Sequence, residues 1–173
     1  LFICKFSAFC YIFVLKYFIN ETYNQIIQDF QVEKQRTIKN SAGVSGIALH
    51  TGERAHLKFC PAGENTGIMF IRKDIPGFPS VSGNVMNVVD VKRGTTIASG
   101  GAKVHTVEHV MAALHAASVD NAIVEMDGAE PPILDGSAMP YLELLFSAGI
   151  VEQNAPALSI TLKEPVLIEE GET

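Results

Sequence analysis

Two histidines and a glutamate lie within five residues of one another in the string His105-Thr-Val-Glu108-His109. Neutral imidazole is a common zinc ligand, and zinc lowers the pKa of a bound water to about 7. A glutamate beside that water can accept its proton, and the resulting hydroxide can attack a carbonyl carbon. The residue types and their spacing therefore indicate metal-assisted hydrolysis.

The element that must position these side chains is predicted to be a helix over residues 103–118. Its apolar side chains recur at helical intervals, at Val104, Val107, Met111 and Leu114. With 3.6 residues per turn, positions 105, 108 and 109 lie on one face of such a helix. His115 lies roughly 10 Å further along the axis, too far to share a metal with His109, and is expected to be a surface residue.

The residues alone leave two interpretations of this face open. The string fits the H-x-x-E-H pattern of the inverzincin peptidases, in which both histidines bind the metal. It also fits a solvated amphipathic helix whose polar face happens to carry two histidines and one glutamate. A peptidase would require His105 as a ligand, so substitution of that residue separates the interpretations.

Segments rich in β-forming residues precede this helix and are separated by Gly, Pro and Asn. They predict strands at residues 36–39, 43–50, 54–59, 67–72 and 95–98. Residues 55–59 alternate apolar and polar side chains, as expected of an antiparallel strand with one buried face.

Beyond the helix, residues 122–126 predict another strand and residues 139–148 a second helix. That helix starts after Asp135-Gly-Ser137, ends at Gly149, and is expected to present Leu142, Leu145 and Phe146 to a core. Residues 158–168 predict two further strands, interrupted at Glu164-Pro165.

The composition is that of a globular protein, with 173 residues, 47% of them hydrophobic and 18% charged. Residues 31–103 carry ten bases and five acids, whereas residues 104–173 carry one base, Lys163, and twelve acids. A net charge of −6 without a basic run argues against a nucleic-acid partner. The three cysteines contain no CxxC pair, which favours a reducing, cytoplasmic compartment.

Residues 1–33 differ from the rest of the chain. Only Lys5, Ser7 and Lys16 interrupt the hydrophobic residues up to Ile19, a length close to the ~20 residues that span a bilayer. The two lysines, the many aromatic residues and the lack of a small-residue cleavage site favour an extension outside the fold over a membrane anchor.

Six strings occur in one order along the chain: Lys34-Gln-Arg-Thr-Ile38, Gly46-Ile-Ala-Leu-His-Thr-Gly52, Arg93-Gly-Thr-Thr96, Thr106-Val-Glu-His109, Asp120-Asn121 and Pro132-Ile-Leu-Asp-Gly-Ser137. Together they resemble the amino-terminal half of the LpxC family, the UDP-3-O-acyl-N-acetylglucosamine deacetylases of lipid A biosynthesis. Val44-Ser-Gly46 and Asn87-Val-Val-Asp90 resemble the subgroup that is fused to a 3-hydroxyacyl-carrier-protein dehydratase.

The resemblance implies an α+β fold of two similar units with the active site between them. Each unit would be a two-layer sandwich of sheet and helices, like the second domain of ribosomal protein S5. Residues 1–33 would be the extension, residues 34–156 the first unit, and residues 157–173 the opening strands of a truncated second unit.

The resemblance also implies a function, namely zinc-dependent removal of the acetyl group from an acylated UDP-N-acetylglucosamine in the cytoplasm of a Gram-negative-type bacterium. Contact with the membrane would be at most peripheral. Glu108 matches the family's general base and His109 one of its zinc ligands, whereas His105 matches no ligand and is assigned to the helix face.

Further site residues follow from the same match. His50 matches a position near the mouth of the active site, although a turn histidine can also be structural. Thr96, Ile97 and Ala98 match a strand that borders the substrate, or form an ordinary buried strand. Asp135 is either a partner that orients a ligand or a helix cap. The other zinc ligands, a His and an Asp in an H-x-x-x-D arrangement, belong to the second unit, and no histidine follows His115. This chain alone is therefore expected to be inactive. The remaining alternative is a non-catalytic interaction domain of the same fold.

Overall fold

The computed structural model describes residues 33–159, in which Glu33–Ala157 form a compact unit. The strands in chain order are β1 (Lys34–Ile38), β2 (Ala42–Ile47), β3 (Arg54–Pro61), β4 (Ile68–Arg72), β5 (Ser80–Ser82), β6 (Val88–Asp90), β7 (Thr96–Ser99), β8 (Ala102–Val104), β9 (Ala122–Met126) and β10 (Ile150–Pro156). Helix α1 (Glu108–Ala116) precedes β9, and helix α2 (Met139–Ala148) follows it. A 3₁₀ turn, Val85–Asn87, leads into β6. The expectation of an α+β fold is confirmed.

The strands of this unit form three sheets. The largest has the order β2-β3-β9-β4-β5 and is antiparallel except for the parallel pairing of β4 with β9. Strands β6, β7 and β8 form a small antiparallel sheet, and β1 pairs with β10. In β3 the side chains of Ala55, Leu57 and Phe59 are buried and their neighbours are not. The predicted alternation is therefore present, as expected of a sheet with one covered face.

The two helices supply the other side of the core. Helix α1 buries Val110, Ala113 and Leu114, and helix α2 buries Tyr141, Leu145 and Ala148. The ring of Tyr141 meets that of Phe59 edge-on, with centroids 6.1 Å apart, so helix and sheet are in direct contact.

Helix α2 has the predicted bounds, but its buried face is rotated from the predicted one. Leu145 is fully buried and Leu142 packs at the edge of the core, whereas Phe146 is 58% exposed. The expectation for Phe146 is wrong because Tyr141, Leu145 and Ala148, spaced four and three residues apart, already form the inward stripe.

The predicted start of the first helix is also wrong. Lys103 and Val104 belong to strand β8, which pairs with β7, and the helix begins only at Glu108. Thr106 has φ +53°, a left-handed conformation that a helix cannot contain. Ser118, also at φ +53°, follows the other end. His105 therefore precedes the helix and does not share a helical face with Glu108 and His109.

Several strands differ from their predicted bounds. Strand β2 ends at Ile47, so His50 lies in the turn that follows, and strands β5, β6 and β10 were not predicted. Strand β10 forms through pairing with β1, more than a hundred residues earlier, which local sequence does not reveal.

The predicted extension and the predicted strands at 158–168 lie outside the described residues, apart from residues 158 and 159. Within residues 33–159, no helix has the length and apolar character needed to cross a membrane.

Candidate active site

Glu108 is the first residue of helix α1, and its carboxylate is held by the chain that leads into strand β7. The backbone N–H of Thr95 donates a 2.8 Å hydrogen bond to Glu108 Oε2. The backbone N–H of Val107 donates in turn to the carbonyl of Thr95 at 3.2 Å. Two hydrogen bonds therefore fix the start of the helix against residue 95, and the second carboxylate oxygen, Oε1, is not used by Thr95.

Gly94 lies where three polar side chains converge. A Cβ atom at this position would be 3.3 Å from Glu108 Oε1, 3.3 Å from Thr106 Oγ1 and 3.7 Å from His50 Nε2. The missing side chain therefore lets a carboxylate, a hydroxyl and an imidazole approach the same piece of backbone.

His50 reaches this point from the turn between β2 and β3. Its Nε2–H donates a 3.1 Å hydrogen bond to the carbonyl of Arg93, which fixes the ring beside Gly94. The turn itself is closed by hydrogen bonds from Ala48 N to Glu53 O and from Gly52 N to Ala48 O. The structure thus brings His50 and Glu108, 58 positions apart in the sequence, to one place.

Glu130 is a buried residue that contacts both the His50 turn and Thr106, and the sequence analysis did not identify it. Its carboxylate is 2% exposed and accepts a 2.7 Å hydrogen bond from the Thr106 hydroxyl on Oε1. On Oε2 it accepts hydrogen bonds from the backbone N–H groups of His50 at 3.0 Å and Thr51 at 3.3 Å. One buried carboxylate therefore connects the His50 turn with the segment that starts helix α1.

An open cavity of about 330 Å³ adjoins these groups. It is lined mainly by polar and charged side chains: His50, Thr51, Asp90, Lys92, Arg93, Gly94, Thr96, His105, Thr106 and Glu130. Such a lining suits a ligand that offers several hydrogen-bonding groups.

His105 faces this cavity instead of the predicted helix face. Its Nδ1 is hydrogen-bonded to Thr96 Oγ1 at 3.0 Å, and its backbone N–H donates to Ala129 O at 2.8 Å. Burial, reinforced by the charge of Lys103, lowers the pKa of the imidazole, while the carboxylate of Glu130 opposes that shift. The inverzincin interpretation loses the helical spacing of its two histidines, because His105 is held by strand β7.

His109 is half-buried in the first turn of helix α1, next to Glu108. Hydrogen bonds from the backbone N–H and the hydroxyl of Ser137 lower the pKa of Asp135, and the charge of nearby His109 adds to this effect. Asp135 does not cap helix α2 directly, because the N-cap is Ala138 and makes no side-chain hydrogen bond. It closes the turn before that helix, within electrostatic range of His109.

The three predicted substrate-strand residues have different surroundings. Thr96 lines the cavity and holds His105. Ile97 is 2% exposed and belongs to the hydrophobic core, and Ala98 is half-buried. Only Thr96 among them faces the cavity. His115, expected at the surface, is exposed.

A bound metal ion would need several donor side chains that converge on one point. Within the described residues, no three side chains of His, Cys, Asp or Glu cluster closely enough to hold a metal ion. His109 lies in the first turn of helix α1, directly after Glu108 in the sequence, and its imidazole is a donor that fits one corner of a tetrahedral zinc site.

The sequence offered weak signals for the groups it missed. Glu130 directly precedes Pro131-Pro132, but it is one of three acids, with Asp127 and Asp135, in the connection between β9 and α2. Thr95 acts through its backbone N–H, which has no side-chain signature, and Gly94 acts through the absence of a side chain.

Comparisons with known proteins identify the same family that the sequence strings resemble. The family model for LpxC, the UDP-3-O-acyl N-acetylglycosamine deacetylase, matches residues 35–173. The chain is 48% identical over 132 residues to the bifunctional enzyme LpxC/FabZ of Chlorobaculum tepidum, covering 76% of this chain and 28% of that protein. This match agrees with the resemblance to the fused subgroup.

Two relatives that are named for the deacetylase alone have similar identities to this chain. The chain is 45% identical to the UDP-3-O-acyl-N-acetylglucosamine deacetylase of Acidithiobacillus ferrooxidans and 44% identical to that of Teredinibacter turnerae, each over 139 residues. Those alignments cover 80% of this chain and 46% of either relative. The chain therefore spans about half the length, or less, of the curated relatives it matches.

Proposed function

This chain belongs to the LpxC family of UDP-3-O-acyl-N-acetylglucosamine deacetylases, and we propose that the complete protein hydrolyses the acetamide of an acylated UDP-N-acetylglucosamine. The products are acetate and the free amine of the sugar, which commits the substrate to lipid A biosynthesis. The observation that carries the proposal is the carboxylate of Glu108, oriented by Thr95 and followed directly by His109.

Glu108 acts as the general base. Thr95 occupies Oε2, so the carboxylate is fixed in orientation while Oε1 keeps lone pairs for the proton of the attacking water. The same carboxyl group is then placed to return that proton to the departing amine. His50, Thr96 and the cavity beside them contact the polar part of the substrate.

His109 is a zinc ligand in this proposal, and Asp135 is the carboxylate that would orient it. Zinc, when bound, supplies a Lewis acid that polarises the acetamide carbonyl. The remaining ligands, a His and an Asp spaced as H-x-x-x-D, come from a second unit of similar topology in the complete protein. Each unit is a two-layer sandwich of sheet and helices, with residues 34–156 as the first and the reaction in the cleft between them.

The protein acts in the cytoplasm and binds no nucleic acid. The substrate's acyl chain brings it at most to peripheral contact with the membrane surface.

The test is acetate release from a UDP-3-O-acyl-N-acetylglucosamine by the purified full-length protein. We expect release that a metal chelator abolishes and added zinc restores, and no release by the 173-residue chain alone. A zinc-loaded full-length protein that releases no acetate contradicts the proposal.

A further inference from the structure

Among residues 33–159, Glu130 is a buried carboxylate that forms no ion pair. It is 2% exposed. Its hydrogen bonds come from the Thr106 hydroxyl and from the backbone N–H groups of His50 and Thr51. Burying a charge in this way is costly unless hydrogen bonds compensate it, so the position calls for an explanation beyond filling space.

The three donors belong to two separate segments of the chain. His50 and Thr51 lie in the turn after β2, whereas Thr106 lies two residues before Glu108 and has the left-handed φ of +53°. Both segments also meet at Gly94, where the His50 imidazole and the Glu108 carboxylate approach the same backbone. Glu130 therefore ties together the two segments that bring these side chains to the cavity.

The negative charge matters to this connection because all three partners donate. Both oxygens of a carboxylate accept, and hydrogen bonds to a charged acceptor are about twice as strong as neutral ones. A glutamine has the same shape but one accepting oxygen. If that oxygen stays with the two backbone N–H groups, the amide group must face Thr106, whose hydroxyl then loses its acceptor.

We propose that Glu130 is a positioning residue for the hydrolysis, which joins the His50 turn to Thr106 and thereby fixes the spacing between the His50 imidazole and the Glu108 carboxylate. Although Glu130 lines the cavity, it is 2% exposed, and its role in the hydrolysis is exerted through these two side chains. The inference rests on the proposed deacetylase function and assigns a role in it to a residue outside the motif.

The first test compares Glu130→Gln with Glu125→Gln in the zinc-loaded full-length protein. Glu125 is a matched control, because it is a glutamate on β9 that pairs with Lys58 and Lys73 away from the cavity. Misplacement of reacting groups by ~1 Å can cost 10²-fold, so we expect kcat to fall about 10- to 100-fold in Glu130→Gln. KM should rise by a smaller factor, because the His50 turn that Glu130 holds also contacts the substrate. Glu125→Gln should keep the wild-type kcat.

Thr106 provides a second pair of variants that keeps Glu130 in place, should Glu130→Gln fail to fold. Thr106→Val removes the hydroxyl with nearly the same shape, and we expect the same selective loss of kcat. Thr106→Ser restores the hydroxyl and should recover kcat relative to Thr106→Val.

Amide hydrogen exchange tests the connection without any substrate. The backbone N–H groups of His50 and Thr51 should exchange about tenfold faster in Glu130→Gln than in the wild type and in Glu125→Gln, because one acceptor has been weakened. If the wild type proves to have no deacetylase activity, the proposed function fails, and exchange still reports whether Glu130 holds the turn.

Three results overturn the positioning role. They are an unchanged kcat in Glu130→Gln and Thr106→Val, a loss that Glu125→Gln reproduces, and unchanged exchange at His50 and Thr51.

Discussion

The backbone N–H of Thr95 donates a 2.8 Å hydrogen bond to the carboxylate of Glu108, and so connects the start of strand β7 to the start of helix α1. A carboxylate that accepts one fixed hydrogen bond keeps a defined orientation and still has lone pairs for a proton. The helix presents the side chain, and the residue before strand β7 orients it. The orientation of the Glu108 carboxylate therefore depends on a residue outside its own helix.

Of the two histidines of the motif, only His109 should be needed for metal binding. In the full-length protein, His109→Ala removes an expected ligand, and we predict that zinc affinity falls by about 100-fold or more. His105→Ala should retain zinc, because His105 is held by Thr96 in front of the helix. Zinc content after dialysis against a weak chelator measures the difference. Loss of zinc in both variants would favour the peptidase interpretation.

A side chain at position 94 should impair the site beyond the loss of stability that it causes. In Gly94→Ala the new Cβ lies 3.3 Å from both Glu108 Oε1 and Thr106 Oγ1, so these groups must shift by a few tenths of an ångström, and the φ of +155° adds backbone strain. We expect kcat/KM of the full-length protein to fall roughly 10-fold.

Gly77→Ala is the matched control for that substitution, because residue 77 also has a positive φ, of +84°, and a Cβ there meets no atom within 4 Å. Steady-state kinetics and a thermal melt of both variants separate site damage from loss of stability. Equal kinetics in the two variants would show that the approach at Gly94 is not needed.

The ion pair of Asp74 with Arg72 should make stability depend on pH in the acidic range. Arg72 donates hydrogen bonds of 2.8 and 2.6 Å to the two carboxylate oxygens of Asp74 and so holds the pKa of Asp74 below its ordinary value. The unfolded chain therefore takes up the proton first. The stabilisation is complete above the ordinary Asp pKa and is lost as the pH falls through the lowered folded-state value.

We expect Asp74→Asn to reduce the free energy of unfolding by about 1 kcal/mol at pH 7, with a smaller difference from the wild type near pH 3. Urea unfolding at both pH values measures it. Glu152→Gln, which removes an exposed partner of Arg36 at 3.7 Å, should change little at either pH. A destabilisation by Asp74→Asn that is equal at both pH values would rule out the ionic contribution. The pair is close to the site, because Arg72 also donates to the carbonyl of Lys103 in strand β8.

The sequence predicted the elements whose side-chain pattern is local. Residues 55–59 alternate as predicted, and helix α2 has its predicted bounds because Ser137 and Gly149 mark its ends. For the first helix, the apolar pattern predicts a start that is too early. Val104 and Val107 are both buried, but Val104 belongs to strand β8 and Val107 precedes the helix. Burial alone does not distinguish a buried strand residue from a helix residue in the same register.

The site was predictable only as far as side-chain chemistry is visible in the sequence. Glu108 and His109 follow from the motif and the family resemblance, whereas the partners that hold Glu108 and His50 are backbone groups. The connection through Glu130 depends on contacts 24 and 80 residues apart along the chain. Such contacts are set by sheet pairing and turn geometry, which no local pattern encodes.

The most direct test of the account is the turnover of the zinc-loaded full-length protein carrying Glu108→Gln. Glutamine keeps the shape and the hydrogen bond from Thr95 but cannot accept the proton. We predict unchanged zinc content and turnover lower by the ~10² to 10⁴ that general acid–base catalysis typically contributes. Glu143→Gln, at an exposed position on helix α2, should retain wild-type turnover. Undiminished acetate release by Glu108→Gln would contradict the assignment of Glu108 as the base.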